Sequence, residues 1–376
     1  MKIVLAGGGS GGHVYPLIAV AEELRLIQQE KNILDLEIYY MANTEYDQKA
    51  LFDNQITFVE IPAGKLRRYF SLENIVDMVK TFFAVFVALF KLFKIYPDVV
   101  FSKGGYPSVP VVVAAKFLRI PVIIHESDTR PGLANKIGAR FADKIAVAFP
   151  EAAQYFKKEK TALIGHLVRK DLQKPVEEGA HEYLKLSPAI PTIFIMGGSQ
   201  GATLINEAVM NTLPELVKKY QIIHQTGTKN FEDVESNVKI ILENSKDRDN
   251  YRPYAYLNPL AMRMCAGAAD VVISRSGASS ISEIAWWEIP AILIPITSSN
   301  GDHQRQNAFS YASTGAARVI EEKNITPQVL LQEIASILAD VESQTKMKQA
   351  AKLSQYPNSA RDIANELVSI GFKHES

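Results

Sequence analysis

The feature that most limits what this chain can become is a unit that occurs twice. An apolar, β-rich run stops in a cluster of glycines and hands over to a helical pattern. Ile3–Ala6 ends in Gly7-Gly8-Gly9-Ser10-Gly11-Gly12-His13, with Pro16 at the start of a helical stretch reaching to about Glu30. Thr192–Met196 ends in Gly197-Gly198-Ser199-Gln200-Gly201-Ala202 in the same manner. Strand, glycine turn and helix N-terminus, in that order, open a βαβ unit, whose parallel sheet must be covered on both faces. Two such openings predict an α/β protein built from two doubly wound, Rossmann-like domains.

The rest of the first half keeps the rhythm. Leu36–Ala42, Thr57–Ile61, Asp98–Ser102, Pro121–His125, Lys144–Phe149 and Thr161–Ile164 read as further strands between helical patterns. A chain of 376 residues can fill two cores. Lys170–Pro191 is charged, holds three prolines and has little apolar periodicity, so the link between domains falls there. The division is residues 1–166 and 167–356. In the tail, 357–376, Ile363, Leu367 and Ile370 recur at helical spacing and are expected to cross back onto the first domain.

Composition removes several function classes. Lys+Arg and Asp+Glu balance at 41 each, so no global charge points to nucleic acid. The one cysteine, Cys265, excludes an intramolecular disulfide and a cysteine-based metal site, and fits a reducing compartment. Met1–Leu5 runs straight into glycines and reads as a first strand rather than a signal peptide, which predicts a cytosolic or cytosol-facing chain. Asp247-Arg248-Asp249 spells a D-x-D metal–nucleotide signature, but with no strand before it the stretch reads as a solvated loop. No metal and no cofactor are predicted.

Charge is uneven locally. Lys65–Arg119 carries nine basic residues (Lys65, Arg67, Arg68, Lys80, Lys91, Lys94, Lys103, Lys116 and Arg119) against Glu73, Asp77 and Asp98. Within it, Phe82–Phe90 is apolar all round and far short of the ~20 residues that span a bilayer. Two readings stand: a core helix, or a helix docking on an anionic membrane surface.

The candidate chemistry gathers at strand ends. Gly7, Gly9 and Gly12 satisfy G-x-G-x-x-G, yet the acid a dinucleotide site needs after the second strand is poorly placed in Asn43-Thr44-Glu45. Missing side chains serve equally to let a bulky polar substrate approach the backbone. His13 beside that loop is either a capping donor or a general base, since imidazole titrates near neutral pH. Gly104 and Gly105 form a second glycine pair, and Glu126 and Asp128 with His125 a polar floor beside the first loop. Arg169 is placed to meet a diphosphate or to pair with a surface acid. Ser199 and the loop amides around it suit a phosphate oxygen. The second glycine loop lacks the Gly-Lys-Ser/Thr of a P-loop, which speaks against NTP hydrolysis.

Ser274–Asn307 adds a third strand–turn–helix segment. Glu283, placed near the first turn of its helix, suits two vicinal ribose hydroxyls, because a carboxylate repels phosphate but accepts hydrogen bonds. The strand Ala291–Ile296 then leads to His303-Gln304-Arg305-Gln306-Asn307, whose amides suit sugar hydroxyls.

Taken together, GGGSGGHVYP (Gly7–Pro16), SKGGYPSVP (Ser102–Pro110), HESDTRPGLANK (His125–Lys136), GGSQGA (Gly197–Ala202) and SRSGASSISEIAWWEIPAILIP (Ser274–Pro295) resemble the MurG family of glycosyltransferases over nearly the whole chain. The resemblance implies a GT-B fold, two Rossmann-like domains facing across a cleft. It implies inverting, metal-independent transfer of N-acetylglucosamine from UDP-GlcNAc to the 4-hydroxyl of MurNAc in lipid I, giving lipid II and UDP. The setting implied is peptidoglycan synthesis by a peripheral protein on the cytoplasmic side of the cell membrane. Donor contacts implied are Ser10, Gly11, Gly12, Arg169, Ser199, Leu257 (uracil, through the backbone), Glu283 (ribose), Gln304 and Asn307 (sugar hydroxyls). His13 is the implied base, with Gly104, Gly105, Glu126 and Asp128 on the acceptor side. The chain departs from the family pattern in having Ser10 for Thr, Ser127-Asp128 for Gln-Asn, and Gly-His-Leu-Val-Arg for Gly-Asn-Pro-Val-Arg. Alternatives are a UDP-GlcNAc 2-epimerase, an NAD-linked oxidoreductase using the first glycine loop, and a non-catalytic UDP-sugar-binding protein.

Overall fold

The computed structural model describes residues 1–64, 72–198, 201–297 and 300–375 and divides into two compact units. Met1–Arg169 with Tyr356–Ser376 form the first, and Lys170–Gln355 the second.

In the first unit the described residues form a seven-stranded parallel sheet. Its strands are β1 (Lys2–Gly7), β2 (Glu37–Ala42), β3 (Ile56–Glu60), β4 (Val99–Gly104), β5 (Val122–Glu126), β6 (Lys144–Val147) and β7 (Thr161–Leu163). They lie in the order β3-β2-β1-β4-β5-β6-β7. Every residue of β4 and β5 is buried, as a sheet covered on both faces requires. Alternate side chains feed two cores, Ile3 and Leu5 one, Val4 and Ala6 the other. Strand β6 stops two residues before the expected Phe149, because Pro150 opens a 3-10 turn.

Three helices of this unit matter here: α1 (Gly11–Glu30), α2 (Leu72–Ile95) and α3 (Ser108–Phe117). Helix α2 contains Phe82–Phe90 and does not behave as a core helix. Ala84, Ala88 and Leu92 face inward, while Phe82, Phe83, Phe86, Phe90 and Phe93 are 55–68% exposed. Small residues on the inner face let α2 pack closely, and the large aromatics are left outside. Among the described residues no helix is long and apolar enough to cross a membrane. Lys65, Arg67 and Arg68 lie outside the described residues, and Lys103, counted above with the surface charge, is 2% exposed.

In the second unit the described residues form a six-stranded parallel sheet of β8 (Thr192–Met196), β9 (Gln221–Gln225), β10 (Tyr251–Tyr254), β11 (Val271–Ser274), β12 (Ala291–Leu293) and β13 (Ala317–Val319). The order is β10-β9-β8-β11-β12-β13. Strand β12 is shorter than Ala291–Ile296, with Pro295 following where ladder hydrogen bonds would continue. Helices α4 (Thr203–Leu216), α5 (Ala278–Trp287) and α6 (His303–Ser313) carry the segments of interest. Arg248 and Asp249 are exposed on a short 3-10 turn.

The two sheets repeat one construction. Asp98, just before β4, accepts the Lys2 N–H that opens β1 at 2.7 Å. Asp270, just before β11, accepts the Thr192 N–H that opens β8 at 2.8 Å. Ile3 then pairs with Val99, and Ile193 with Val271. The same carboxylate device sets the register of the two central strands in each unit.

The last helix, α7 (Ser359–Glu375), belongs to the first unit. Ile363 and Leu367 are buried in its core with Ile370 packed against them. Arg361 bridges to Glu23 at 3.3 Å and to Glu30, both on α1, and Lys144 to Glu366 at 2.6 Å. The division falls after Arg169, three residues beyond His166, because Leu167 is buried in the same core.

Candidate functional site

In an open parallel sheet, ligands bind beyond the carboxyl ends of the strands where the winding reverses. The reversal lies between β1 and β4 in the first unit and between β8 and β11 in the second. Each of these four strands ends in one of the loops singled out in the sequence: Gly7–Gly12, Gly104–Gly105, Gly197–Ala202 and Ser274–Gly277. Topology therefore sets the two loops of each unit side by side.

In the first unit the two glycine loops touch. Gly105 has φ +80°, and a Cβ there would overlap the carbonyl oxygen of Gly8. Tyr106 packs over Gly9 and accepts a hydrogen bond from Asn43 Nδ2 at 2.9 Å. The position after β2, where a dinucleotide fold would present its acid, thus holds an amide tied to a tyrosine.

Ser10 is the N-cap of α1, but its hydroxyl lies against its neighbour rather than the helix end: Ser10 Oγ is 2.8 Å from His13 Nδ1. His13 sits in the first turn of α1, just past the glycine loop, and is half-buried. Burial lowers its pKa to about 4, Lys103 adds to the lowering and Asp128 opposes it. The imidazole is therefore neutral at pH 7. When Nδ1–H donates to Ser10 Oγ, the Nε2 lone pair is left to take a proton.

Glu126 is buried with both carboxylate oxygens occupied. Oε1 accepts from Asp128 N at 2.9 Å, and Oε2 from Gly132 N at 3.1 Å and Asn135 Nδ2 at 2.9 Å. It shapes the loop after β5, and burial pushes its pKa up, with Asp128 adding to the rise. Asp128 is half-buried on that loop.

Sequence reasoning missed Lys103 and His166 here, and had His125 only as part of a polar floor. Lys103 donates from Nζ to Ser127 Oγ at 2.8 Å. His125 is fully buried, with Nε2 2.9 Å from the Gly165 carbonyl. His166 stands edge-on to Phe149, and burial, with Lys103, lowers its pKa to about 4. A lysine directly before a glycine pair at the end of an apolar strand was the available signal. Arg169 stacks on the Tyr15 ring at 4.5 Å, which sets it beside the first turn of α1.

In the second unit, Gly197 N–H donates to Gln225 O at 3.0 Å, and Gly201 (φ +79°) crosses close under Thr226. Helix α4 starts from Ala202 with no side-chain cap among the described residues, so its first N–H groups suit an anion. Ser199, placed on that loop by the sequence, lies outside the described residues. Opposite, Ser276 ties the two halves of Ser274–Asn307 together. Its hydroxyl donates to Gln304 O at 2.8 Å, and its carbonyl accepts from the buried Asn307 Nδ2 at 3.4 Å. Gln304 Oε1 accepts from Ile296 N at 3.2 Å, so its NH₂ end is the one left to donate. Glu283 is half-buried in the second turn of α5, one turn later than expected, because α5 begins at Ala278. Leu257 has its side chain in the core, which leaves only its backbone for a ligand. Among the described residues no group of three or more His, Cys, Asp or Glu is arranged to hold a metal.

Comparison with known proteins fits this layout. Residues 3–147 match the glycosyltransferase family 28 N-terminal domain, and residues 192–367 the family 28 C-terminal domain. The chain is 40% identical over 339 residues, 89% of its length and 91% of the relative's, to the UDP-N-acetylglucosamine--N-acetylmuramyl-(pentapeptide) pyrophosphoryl-undecaprenol N-acetylglucosamine transferase 2 of Bacillus cereus (strain ATCC 10987 / NRS 248). It is 35% identical over 374 residues, 98% of its length and 100% of the relative's, to the transferase of the same name, without the numeral, from Natranaerobius thermophilus. Among solved structures, Acinetobacter baumannii MurG superposes with a TM-score of 0.72 at 25% identity, covering 98% of this chain and 99% of that one. The UDP-GlcNAc 2-epimerase of Neisseria meningitidis superposes at 0.68 with 14% identity, covering 98% and 100%, a likeness of fold alone.

Proposed function

Because the chain belongs to glycosyltransferase family 28, we propose that it transfers N-acetylglucosamine from UDP-GlcNAc to the 4-hydroxyl of MurNAc in lipid I, giving lipid II and UDP. The relatives' reaction supports this reading, and so does the neutral His13 imidazole, hydrogen-bonded to Ser10 beside the switch point of the first unit.

The first unit takes the acceptor and the second the donor. The acceptor's diphosphate lies by the N-terminus of α1, where the loop Gly7–Gly12 ends, and Gly104, Gly105, Glu126 and Asp128 shape the surroundings of its sugar. In the second unit the ribose is held by Glu283, the sugar hydroxyls by Gln304 and Asn307, the uracil by the backbone at Leu257, and the phosphates by Ser199 and the N-terminus of α4. Arg169 is a further phosphate contact. The 4-hydroxyl gives its proton to His13 as its oxygen bonds to C1 of the donor sugar. The C1–O bond to UDP breaks on the opposite side, so the anomeric centre inverts, and loop amides stabilise the departing charge.

The lipid of the acceptor calls for a membrane surface. The exposed phenylalanines of α2, with the exposed Lys80 and Lys94 beside them, support peripheral docking on an anionic bilayer, on its cytoplasmic side. That row of aromatics also favours the transferase over an epimerase, whose substrate is soluble. The deciding experiment is transfer of labelled GlcNAc to a lipid I analogue. Labelled lipid II is the expected product. Formation of UDP-N-acetylmannosamine instead would indicate epimerase chemistry, and binding of UDP-GlcNAc with neither product a non-catalytic protein.

A further inference from the structure

His224 lies on β9 and Asn206 in the first turn of α4, and they are 0% and 2% exposed. On the same strand and helix, Ile222, Ile205 and Val209 belong to one apolar core. Polar side chains in such a place cost free energy unless their hydrogen bonds are made. Here the bonds run in one direction. Asn206 Nδ2 donates to Thr226 O at 3.1 Å, which leaves Oδ1 to face His224 Nε2 at 3.0 Å. That nitrogen must therefore carry the proton, and Nδ1 accepts from Tyr251 OH at 2.8 Å. Tyr251, on β10, is thus linked through His224 and Asn206 to a backbone carbonyl at the carboxyl end of β9.

That carbonyl is where the second glycine loop rests. Gly201, at φ +79°, crosses so close that a Cβ would stand 2.5 Å from Thr226 O. Asn230 Nδ2 donates to the same oxygen at 3.2 Å, and Gly197 N–H to Gln225 O at 3.0 Å. Both ends of the loop Gly197–Ala202 therefore lie on Gln225–Thr226. Asn206 ties the following helix to the same support, one turn after Ala202, whose carbonyl takes the Asn206 N–H at 2.9 Å. Among the described residues no side chain caps α4, so the backbone beneath is what aims its first N–H groups.

We infer that His224 and Asn206 are positioning residues for the donor diphosphate: their hydrogen bonds hold the start of α4, and the glycine loop before it, on the end of β9. The inference rests on the reading of the second unit as the donor half. Hydrogen bonds to a charged phosphate depend steeply on distance and direction, so a small tilt of α4 costs affinity for the diphosphate. The groups assigned to the nucleoside, Glu283 on α5 and the backbone at Leu257, lie outside the segments that this chain of bonds joins.

The test compares UDP with uridine on the full chain, by isothermal titration for UDP and ligand-observed NMR for uridine, with thermal unfolding confirming that each variant folds. His224→Phe keeps a ring in place and leaves Asn206 Oδ1 without its donor. It is expected to weaken UDP by roughly tenfold or more while uridine changes by about twofold or less. His224→Gln, whose amide can donate to Asn206 and accept from Tyr251, should recover most of the UDP affinity. Should His224→Phe not fold, Asn206→Ala carries the same expected contrast. UDP affinity untouched in a folded variant, or UDP and uridine weakened alike, overturns the inference. So does a His224→Gln chain that binds UDP no better than His224→Phe. A wild-type chain that binds neither UDP nor uridine sinks the donor reading itself, a result distinct from these, and takes the inference with it.

Discussion

The carbonyl oxygen of Gly8 lies against the α-carbon of Gly105, so closely that the smallest side chain at Gly105 would overlap it. Two loops from neighbouring strands are locked by this contact, and Gly105 also holds φ +80°, which a side chain disfavours. Gly105→Ala must therefore strain the backbone and push the loops apart. A cost of about 1–3 kcal/mol is expected, read as a Tm lowered by roughly 5 °C, together with a larger loss of transfer activity. Wild-type Tm and activity in this variant would mean that the loops do not depend on their contact.

The bond between Ser10 and His13 separates two roles. If His13 is the base, His13→Ala should lower kcat by roughly 10²–10⁴, with KM for UDP-GlcNAc little changed. Ser10→Ala keeps the imidazole and removes the partner of Nδ1, and one neutral hydrogen bond is worth about 0.5–1.5 kcal/mol, so if Ser10 acts by orienting His13 a fall of roughly tenfold or less is expected. Steady-state kinetics on both variants check this. Equal losses in the two would point to Ser10 as more than an orienting group.

The difference between these residues and Lys103 explains how much was legible in the sequence. Strand–glycine–helix punctuation is local chemistry, so the seven strands of the first unit and the loops after β1, β4, β8 and β11 could be read from composition and period. Which side a residue faces is not local. Lys103 reads as one more charge in a basic stretch until β4 is placed between β1 and β5, where all its residues are buried. Phe82–Phe90 leaves a core helix and a docking helix both open for the opposite reason: period alone does not reveal that Ala84 and Ala88 take the inner face. Ser276 went unremarked because its partners, Gln304 and Asn307, are distant in sequence.

Buried histidines give the stability a sign in acid. Burial lowers the pKa of His13 and His166 to about 4 and of His224 to about 3, against about 6.5 in an unfolded chain. His224 is locked neutral between Tyr251 OH at 2.8 Å and Asn206 Oδ1 at 3.0 Å. Between pH ~6.5 and ~4 the unfolded chain binds more protons than the native one, so stability rises with pH across that window and is lost on acidification. His224 alone contributes a slope of up to about 1.4 kcal/mol per pH unit. Urea unfolding at pH 7.5, 6 and 5 should show midpoints falling in that order. A flat profile would contradict the buried, neutral assignment.

Helix α2 makes a prediction that ignores the chemistry. Phe82, Phe86 and Phe90 lie one turn apart on the exposed side, with Lys94 over the Phe90 ring at 5.3 Å. Replacing the three phenylalanines by serine should cut co-sedimentation with anionic vesicles by tenfold or more, since each exposed Phe can bury roughly 1.5–3 kcal/mol of apolar surface. Activity on a short-chain, water-soluble acceptor should stay near wild type. Undiminished vesicle binding would remove α2 from the membrane reading.

On the second unit, Glu283 and Gln304, the side chains proposed to hold the donor, stand on different elements, α5 and α6, and Ser276 bonds to the second of these through Gln304 O. A carboxylate that accepts two ribose hydroxyls loses charge-assisted hydrogen bonds when it becomes an amide. Such bonds are worth about 1.5–3 kcal/mol each, so Glu283→Gln should weaken UDP binding by roughly 10- to 100-fold. Gln304→Ala removes a side chain assigned to the sugar and not the nucleotide, so it should weaken UDP-GlcNAc while leaving UDP close to wild type. Isothermal titration with both ligands separates the two. A Gln304→Ala variant that loses UDP and UDP-GlcNAc equally would show that Gln304 supports the loop after β12, through its bond from Ile296 N, without touching the sugar.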